Sequence, residues 1–246
     1  MIRTLIVPAA GAGSRLGTAV PKALVPVAGI PMLRRVLALY ERHVESVIVV
    51  ASPTAADAVA RVAGAEARIV VQEKPTGMLD AILLGTQALT AAADNVWISW
   101  CDQVAVEPQT IERLAALTEE RKQAALVMPT VRRADPYIHL KRDASERIVS
   151  VLHRREGDPM PAEGESDMGV FALSREACTT LLPAFAAESS RGAGTGERNF
   201  LPFIPWVAVR RDVVTFPCTD PFEAVGVNTQ EELAAVELYL SRRTQR

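Results

Sequence analysis

Cysteine is scarce in this chain: three in 246 residues, at Cys101, Cys178 and Cys218, far apart and odd in number. That spacing excludes a disulfide framework, and no Cys-x-x-Cys or Cys/His pattern suggests zinc, so a reduced, cytoplasmic setting is expected. An excess of either charge is missing too, the formal net charge being −2. With no strongly basic domain or arm, a nucleic-acid surface is not expected. Long apolar runs are also absent. The opening Met1-Ile2-Arg3-Thr4-Leu5-Ile6-Val7-Pro8-Ala9-Ala10-Gly11 has one short run that ends in small residues, so neither a signal peptide nor a membrane span is expected. Internal repeats and low-complexity segments are lacking. What remains is ordinary for a soluble globular chain, 49% hydrophobic and 23% charged, and long enough to bury a substantial core.

Apolar runs and helical patterns alternate through the first half. Strands are predicted at Thr4–Pro8, Val47–Ala51, Arg68–Gln72, Asn95–Trp100 and Ala124–Thr130. Helices are predicted at Pro31–His43, where Leu33, Val36, Leu37 and Tyr40 share a face, and at Thr54–Val62, Gly77–Leu89 and Glu107–Arg121. This rhythm implies parallel strands with crossover helices, hence a three-layer α/β core. It breaks after Pro129. Tyr137–Lys141 and Ile148–His153 read as a hairpin, Glu156–Glu165 as a polar loop, and Met168–Leu173 as a strand before a helix near Arg175–Phe185. Ser189–Glu197 reads as the most flexible stretch, Val213–Pro217 and Ala224–Val227 as short strands, and Thr229–Arg242 as a final helix. One α/β domain over residues 1–246 is expected: a nucleotide-binding part (1–130), an acceptor-binding part (131–228) carrying a small β insertion, and a C-terminal helix (229–246).

Ligands of open α/β sheets bind beyond the carboxyl ends of the strands. Four groups fall there: the loop after the first strand, Gln72, Asp102 and Asn228. The loop, Ala9-Ala10-Gly11-Ala12-Gly13-Ser14-Arg15-Leu16-Gly17, is built of small residues around one arginine, and Lys22 follows. Small residues let backbone N–H groups approach an anion, and two fixed cations neutralise it, so the loop suits a polyphosphate; the alternative is a bland turn. A dinucleotide fingerprint does not fit. Three residues rather than two separate Gly13 from Gly17, and the second strand ends Val50-Ala51-Ser52-Pro53 without an acid. The Walker pattern is absent.

Residues 9–17 and 21–33 (AAGAGSRLG and PKALVPVAGIPML) resemble the opening signature of the nucleotidyltransferases that make nucleotide sugars and related activated alcohols. The spacing from Arg15 to Pro21-Lys22 is similar to that in N-acetylglucosamine-1-phosphate uridyltransferases and in the cytidylyltransferases of methylerythritol phosphate synthesis. The resemblance implies a Rossmann-like, GT-A-type α/β/α fold with a mostly parallel mixed sheet. It implies that Ala9, Ala10, Gly11, Gly13 and Ser14 cradle the triphosphate, that Arg15 contacts it, and that Lys22 lies near both reacting phosphates. Gln72-Glu73-Lys74-Pro75-Thr76-Gly77 resembles the segment that brackets a pyrimidine, Gln72 offering donor and acceptor to the base edge. The alternative is a surface loop with Thr76 as helix N-cap.

Asp102 follows an apolar strand, where a carboxylate can ligate Mg²⁺ with phosphates completing the shell. The family has Gly-Asp here and this chain Cys101-Asp102, a change that narrows the space beside the carboxylate. Gly226-Val227-Asn228 resembles the family's late segment, which implies Asn228 as the second metal-binding residue; its alternative is a helix N-cap. Asp167-Met168-Gly169 resembles an acceptor-binding Asn-Thr-Gly segment, with aspartate in place of asparagine, and Arg155 is a further acceptor-side candidate. His139 and His153 read as solvated strand residues and the cysteines as inert thiols; Arg132-Arg133 and Arg154-Arg155 read as solvated pairs, the alternative being that one of them binds an acceptor phosphate.

The implied activity is Mg²⁺-dependent nucleotidyl transfer from a pyrimidine NTP to a sugar 1-phosphate or similar phosphorylated acceptor, with pyrophosphate released. The nucleophile is already an anion, so the lack of an evident general base agrees with this chemistry. No hexapeptide repeats follow Asn228, so acetyl transfer is not expected. Rival readings are a cytidylyltransferase acting on a non-sugar phosphate or phosphonate alcohol, a nucleotide-binding pseudoenzyme, and a dinucleotide-dependent oxidoreductase. Self-association stays open.

Overall fold

In the first strand, Arg3–Pro8 (β1), successive side chains go to opposite faces and both faces are buried, so helices must cover the sheet on either side. The structure, a computed structural model, describes residues 1–11 and 13–244, with the side chains of Ser14 and Thr244 outside the description. After β1 come the short ladder β2 (Pro26–Val27) and β3 (Ile30–Pro31), then α1 (Met32–Tyr40), β4 (Ser46–Ala51), α2 (Ala56–Ala63) and β5 (Ala67–Val71). Next are α3 (Met78–Gln87), β6 (Asn95–Ser99), α4 (Pro108–Glu120) and β7 (Leu126–Ala134). The second half adds β8 (Ile138–Arg142), β9 (Ile148–His153), β10 (Glu163–Asp167), β11 (Val170–Ser174), α5 (Leu182–Glu188), α6 (Phe203–Ala208), β12 (Val213–Pro217) and α7 (Gln230–Thr244).

β5, β4, β1 and β6 run parallel in that order, and β11 joins β6 antiparallel. β7 pairs antiparallel with β11 and β10 and parallel with β12, completing an eight-stranded, mostly parallel mixed sheet. Leu5 and Val7 pack on one face with Val49 and Trp97 beneath α1, α2, α4 and α7. Ile6 packs on the other with Ile48, Val50 and Ile98 beneath α3, α5 and α6. The fold is therefore the expected three-layer α/β arrangement, with β8 and β9 forming the expected hairpin. Among the described residues no helix is long and apolar enough to cross a membrane.

The second half departs from the sequence reading. The stretch read as a polar loop, Glu156–Glu165, ends in β10, whose Glu163–Asp167 pair with Ala134–Thr130 of β7. Such long-range pairing supplies the backbone partners that local polarity hides. α6 is new: Pro202 and Pro205 mask it, yet they sit at its N-cap and in its first turn, where no N–H is needed. Ala224–Val227 is not a strand. Asp220 accepts a hydrogen bond from the Phe222 N–H (2.8 Å) and opens a 3₁₀ turn over Pro221–Ala224, after which the chain runs irregularly to Asn228.

Trp97 joins α1 to the sheet. It is fully buried, donates from Nε1 to Asn95 (2.7 Å), and packs edge-on to Tyr40 with ring centres 5.9 Å apart. Trp97→Ala is expected to lower unfolding free energy by about 3–5 kcal/mol, and Trp97→Phe by less, as measured by urea denaturation.

Candidate active site

The carboxyl ends of β1 and β6 open onto a cavity of about 600 Å³, walled on its far side by the end of β9, the end of β10 and residues 195–201. Lys22, Asp102 and Asn228 meet at its floor. Asp102 stands just past β6 and Asn228 just before α7, and the Val227 N–H donates to the Asp102 backbone carbonyl (3.1 Å), which fixes the two segments together. Lys22 Nζ donates to Asp102 Oδ2 and to Asn228 Oδ1, the latter at 2.7 Å, and Arg15 Nη2 reaches the same Oδ1 at 2.9 Å. The other Asp102 oxygen, Oδ1, is buried without a hydrogen-bond partner among the described residues.

Gly13 explains how Lys22 gets there. Its φ is +66°, in the left-handed region, and a Cβ on it would lie 2.8 Å from Lys22 Cβ. Glycine is thus needed twice, for the turn and for the close approach of the lysine stem. A Cβ on Gly11 would meet nothing, and both glycines border the cavity. Ser14 opens a 3₁₀ turn, Ser14–Leu16, and the Gln230 amide of α7 donates to the Leu16 carbonyl (2.5 Å). Ala12 and the Ser14 side chain lie outside the described residues. Ala9 is buried in the core cluster, and neither Ala9 nor Ala10 lines the cavity.

Asn228 does not cap α7. Thr229 and Glu232 form a reciprocal capping box: the Glu232 N–H donates to the Thr229 hydroxyl (3.2 Å), and Glu232 accepts from the Thr229 N–H (2.9 Å) and the Asn228 N–H (2.6 Å). The Asn228 carbonyl oxygen is therefore left to the two cations. Likewise Thr76 is not the cap of α3; Gly77 stands there, with no side-chain cap.

Gln72 is buried, and its amide N–H groups point to the Thr76 hydroxyl (3.4 Å) and the Gly77 carbonyl (3.3 Å). Gln72, Thr76 and Gly77 do not line the cavity, although Pro75 and Met78 do. At Gly77, φ is +123°, and a Cβ would lie 2.4 Å from the Arg198 carbonyl oxygen, because residues 195–199 lie across this loop. The stretch read as flexible is in fact fastened. Glu156 accepts from the Gly194 N–H (2.8 Å) and the Thr195 hydroxyl (2.6 Å), and Asn199 bonds His153 Nδ1 at 2.9 Å. Thr195's hydroxyl, with help from the backbone, holds the Glu156 carboxyl below the usual range.

The three residues expected on acceptor grounds, Asp167, Gly169 and Arg155, come to the same region, with Asp167 and Arg155 lining the cavity and Gly169 packed against Trp100. Burial pushes the Asp167 carboxyl up to about 6, with the nearby Asp102 charge adding to the rise and the Gly169 N–H (2.9 Å) opposing it. His153, read as solvated, is largely enclosed in the cavity wall, and burial lowers its pKa. His139 bonds the Glu165 carbonyl (3.2 Å). Arg154 pairs with Asp135, and Arg133 donates to the Ala224 carbonyl (3.3 Å) at the cavity edge. Gln103 and Asn199 are lining residues that sequence reasoning passed over, the signal for Gln103 being its place next to Asp102, while Arg133, read as one of a solvated pair, and Tyr137, read only as the start of a strand, also line the cavity. The cysteine thiols are all pushed up by burial, Cys101 to about 12. Cys101 packs in the core and is not a lining residue, so it does not crowd Asp102 from the cavity side. A wider concavity of about 940 Å³ lies between β8 and β7, β10 and β12, but its Arg142 and Glu165 satisfy each other (2.7 Å).

Sequence comparison agrees with this geometry. The model of the MobA-like NTP transferase domain matches residues 5–189, well over half the chain. The bifunctional protein GlmU of Pseudomonas entomophila (strain L48) is 28% identical over 242 residues, 97% of this chain and 52% of that protein. Those of Pelotomaculum thermopropionicum and Paraburkholderia phytofirmans are each 28% identical, over 246 and 239 residues, covering 97% and 95% of this chain and 52% and 51% of theirs. The chain spans about half the length of these curated relatives.

Asp167 gives a pH test. Its ordinary value is 3.8 and its folded value about 6, so the folded protein holds this proton more tightly. The resulting stabilisation is complete below 3.8 and is lost as pH rises through about 6. Asp167→Asn is expected to flatten the fall in stability across that window, read from urea melts at closely spaced pH values.

Proposed function

The chain belongs to the MobA-like NTP transferase family, and from that premise we infer that it moves a nucleotidyl group from a pyrimidine NTP to a phosphorylated acceptor, a sugar 1-phosphate or similar ester. That it is a nucleotidyltransferase follows from the family; the base, the acceptor and the metal are our reading. The observation that carries it is the Lys22 ammonium at the junction of Asp102 and Asn228, beside the Gly11–Gly13 turn.

In this reading an acceptor phosphate oxygen attacks the α-phosphorus of the NTP. The new bond is O–P, the bond broken is the bridge to the β-phosphate, and pyrophosphate leaves with the electron pair. No proton has to move, so alignment and charge neutralisation carry the rate. Backbone N–H groups of the loop and Arg15 hold the triphosphate, and Lys22 swings between its resting partners and the phosphates. Arg155 and Arg133 balance the acceptor phosphate from the opposite wall. Gln72 reads the base by exchanging its Thr76 and Gly77 bonds for it. Residues 1–130 then bind the nucleotide and 131–228 the acceptor, within one domain.

The donor set fits a divalent cation: Asp102 and Asn228 already converge their oxygens on one cationic point, the Lys22 ammonium, and Asp102 Oδ1 is buried with no partner among the described residues. Held by those two residues, Mg²⁺ would offset charge on the triphosphate.

Pyrophosphate release is expected on mixing the protein with Mg²⁺, a pyrimidine NTP and a suitable phosphorylated acceptor; no release with any pyrimidine NTP across an acceptor panel overturns the reading. Lys22→Ala and Asp102→Ala should each lower kcat by about 10²–10³ while keeping a cooperative melt. Because Lys22 occupies the cation's place, Lys22→Met should bind Mn²⁺ more tightly than the native protein when nucleotide is absent, measured by calorimetry.

A further inference from the structure

Between Leu16 and Ala28 runs the segment that carries Lys22. It includes a 3₁₀ turn at Lys22–Leu24 and strand β2, which forms with β3 a two-stranded ladder apart from the main sheet. Ala23, Val25 and Val27 bury the middle of the segment. Its two ends are tied to one helix. The Gln230 amide donates to the Leu16 carbonyl (2.5 Å), and Glu237 Oε1 accepts from the Ala28 N–H (2.7 Å). Residues 230 and 237 are two turns of α7 apart, so they share a face and set the two anchors about 10 Å apart.

Neither anchor belongs to the core, since Gln230 and Ala28 are both exposed. Ala28 is also strained. Its φ is +46°, in the left-handed region, and Gly29 follows at +76°. A two-residue turn with both φ values positive favours Asn-Gly or Gly-Gly, so an alanine there has to be held. Glu237 holds it through the N–H, and Arg35 of α1 adds bonds to the Val27 (2.7 Å) and Ala28 (3.4 Å) carbonyls. Strain kept in place by contacts from two helices tends to mark a working position. Just before α7 stands Asn228, which accepts from both Arg15 and Lys22.

We propose that Gln230 and Glu237 are positioning residues: α7 acts as a ruler that holds the Lys22 segment at both ends and presents Asn228 to it. This rests on the nucleotidyl-transfer reading. Neither side chain lines the cavity, so each acts through the backbone it holds. Gln230 grips the residue after Arg15 and so governs triphosphate binding. Glu237 grips the turn beyond Lys22 and so governs alignment of the reacting phosphates, where a displacement of about 1 Å can cost about 10²-fold in rate.

The test separates the hydrogen bonds from the charges. Gln230→Met removes the donor without adding charge, and Gln230→Glu keeps the shape with a carboxylate that suits a helix start. Each should raise the KM for NTP about tenfold and weaken calorimetric binding of Mg²⁺-tripolyphosphate alike, with the melting temperature unchanged. Glu237→Met should lower kcat about tenfold with little change in KM. Glu237→Gln, which keeps an accepting oxygen, should behave like the native protein. Ala28→Gly relieves the left-handed strain, so it should restore kcat in the Glu237→Met background.

A KM that rises for Gln230→Glu alone overturns the proposal in favour of simple repulsion. Equal losses in Glu237→Gln and Glu237→Met overturn it in favour of the charge that Arg35 feels. Kinetic constants unchanged in every variant also overturn it, as does lost activity that merely follows a lowered melting temperature. If no acceptor yields pyrophosphate, the transfer reading fails, and tripolyphosphate still decides the ruler. Tenfold weaker binding by Gln230→Met upholds it; native-like binding by that variant, or none by the native protein, overturns it.

Discussion

One ammonium group ties this molecule's site together. Lys22 reaches Asp102 and Asn228, residues that β6 and α7 carry from distant parts of the sequence. Around that point the backbone bond from Val227 to Asp102, the Arg15 contact to Asn228 and the Gln230 grip on the loop all converge. A charge brought this far from water requires complementary oxygens. The arrangement supplies them from three segments, so the position of each segment is set by the others.

The sheet makes this meeting possible. Parallel order from β5 to β6 puts the carboxyl ends of β1 and β6 side by side, and the antiparallel β11 then returns the Asp167–Gly169 turn to the same edge. Two buried faces hold the sheet rigidly between helices. The chemistry is left to loops, which is where open α/β sheets place it.

The first half of the fold was legible because each strand and helix carries its own period. β1, β4, β5 and β6 read directly from apolar runs, and Asp102 stood out as a carboxylate ending one of them. The second half was not, because its elements depend on partners far away in sequence: β10 exists through β7, and α6 hides behind two prolines. In the site, Lys22, Asp102 and Asn228 were visible as residue types at strand ends. Gln103 and Glu156 were not, since their importance lies in an unsatisfied oxygen and in a fastening to residues about 40 positions on. Gln72 lay between the two cases, visible in sequence but folded into its own loop.

The capping box of α7 separates two duties that neighbouring positions often share. Thr229 and Glu232 secure the helix start, so residue 228 carries none of that burden. The side chain of residue 228 is therefore released from the helix start: a substitution there disturbs the oxygens facing Lys22 and Arg15 and leaves the α7 cap in place.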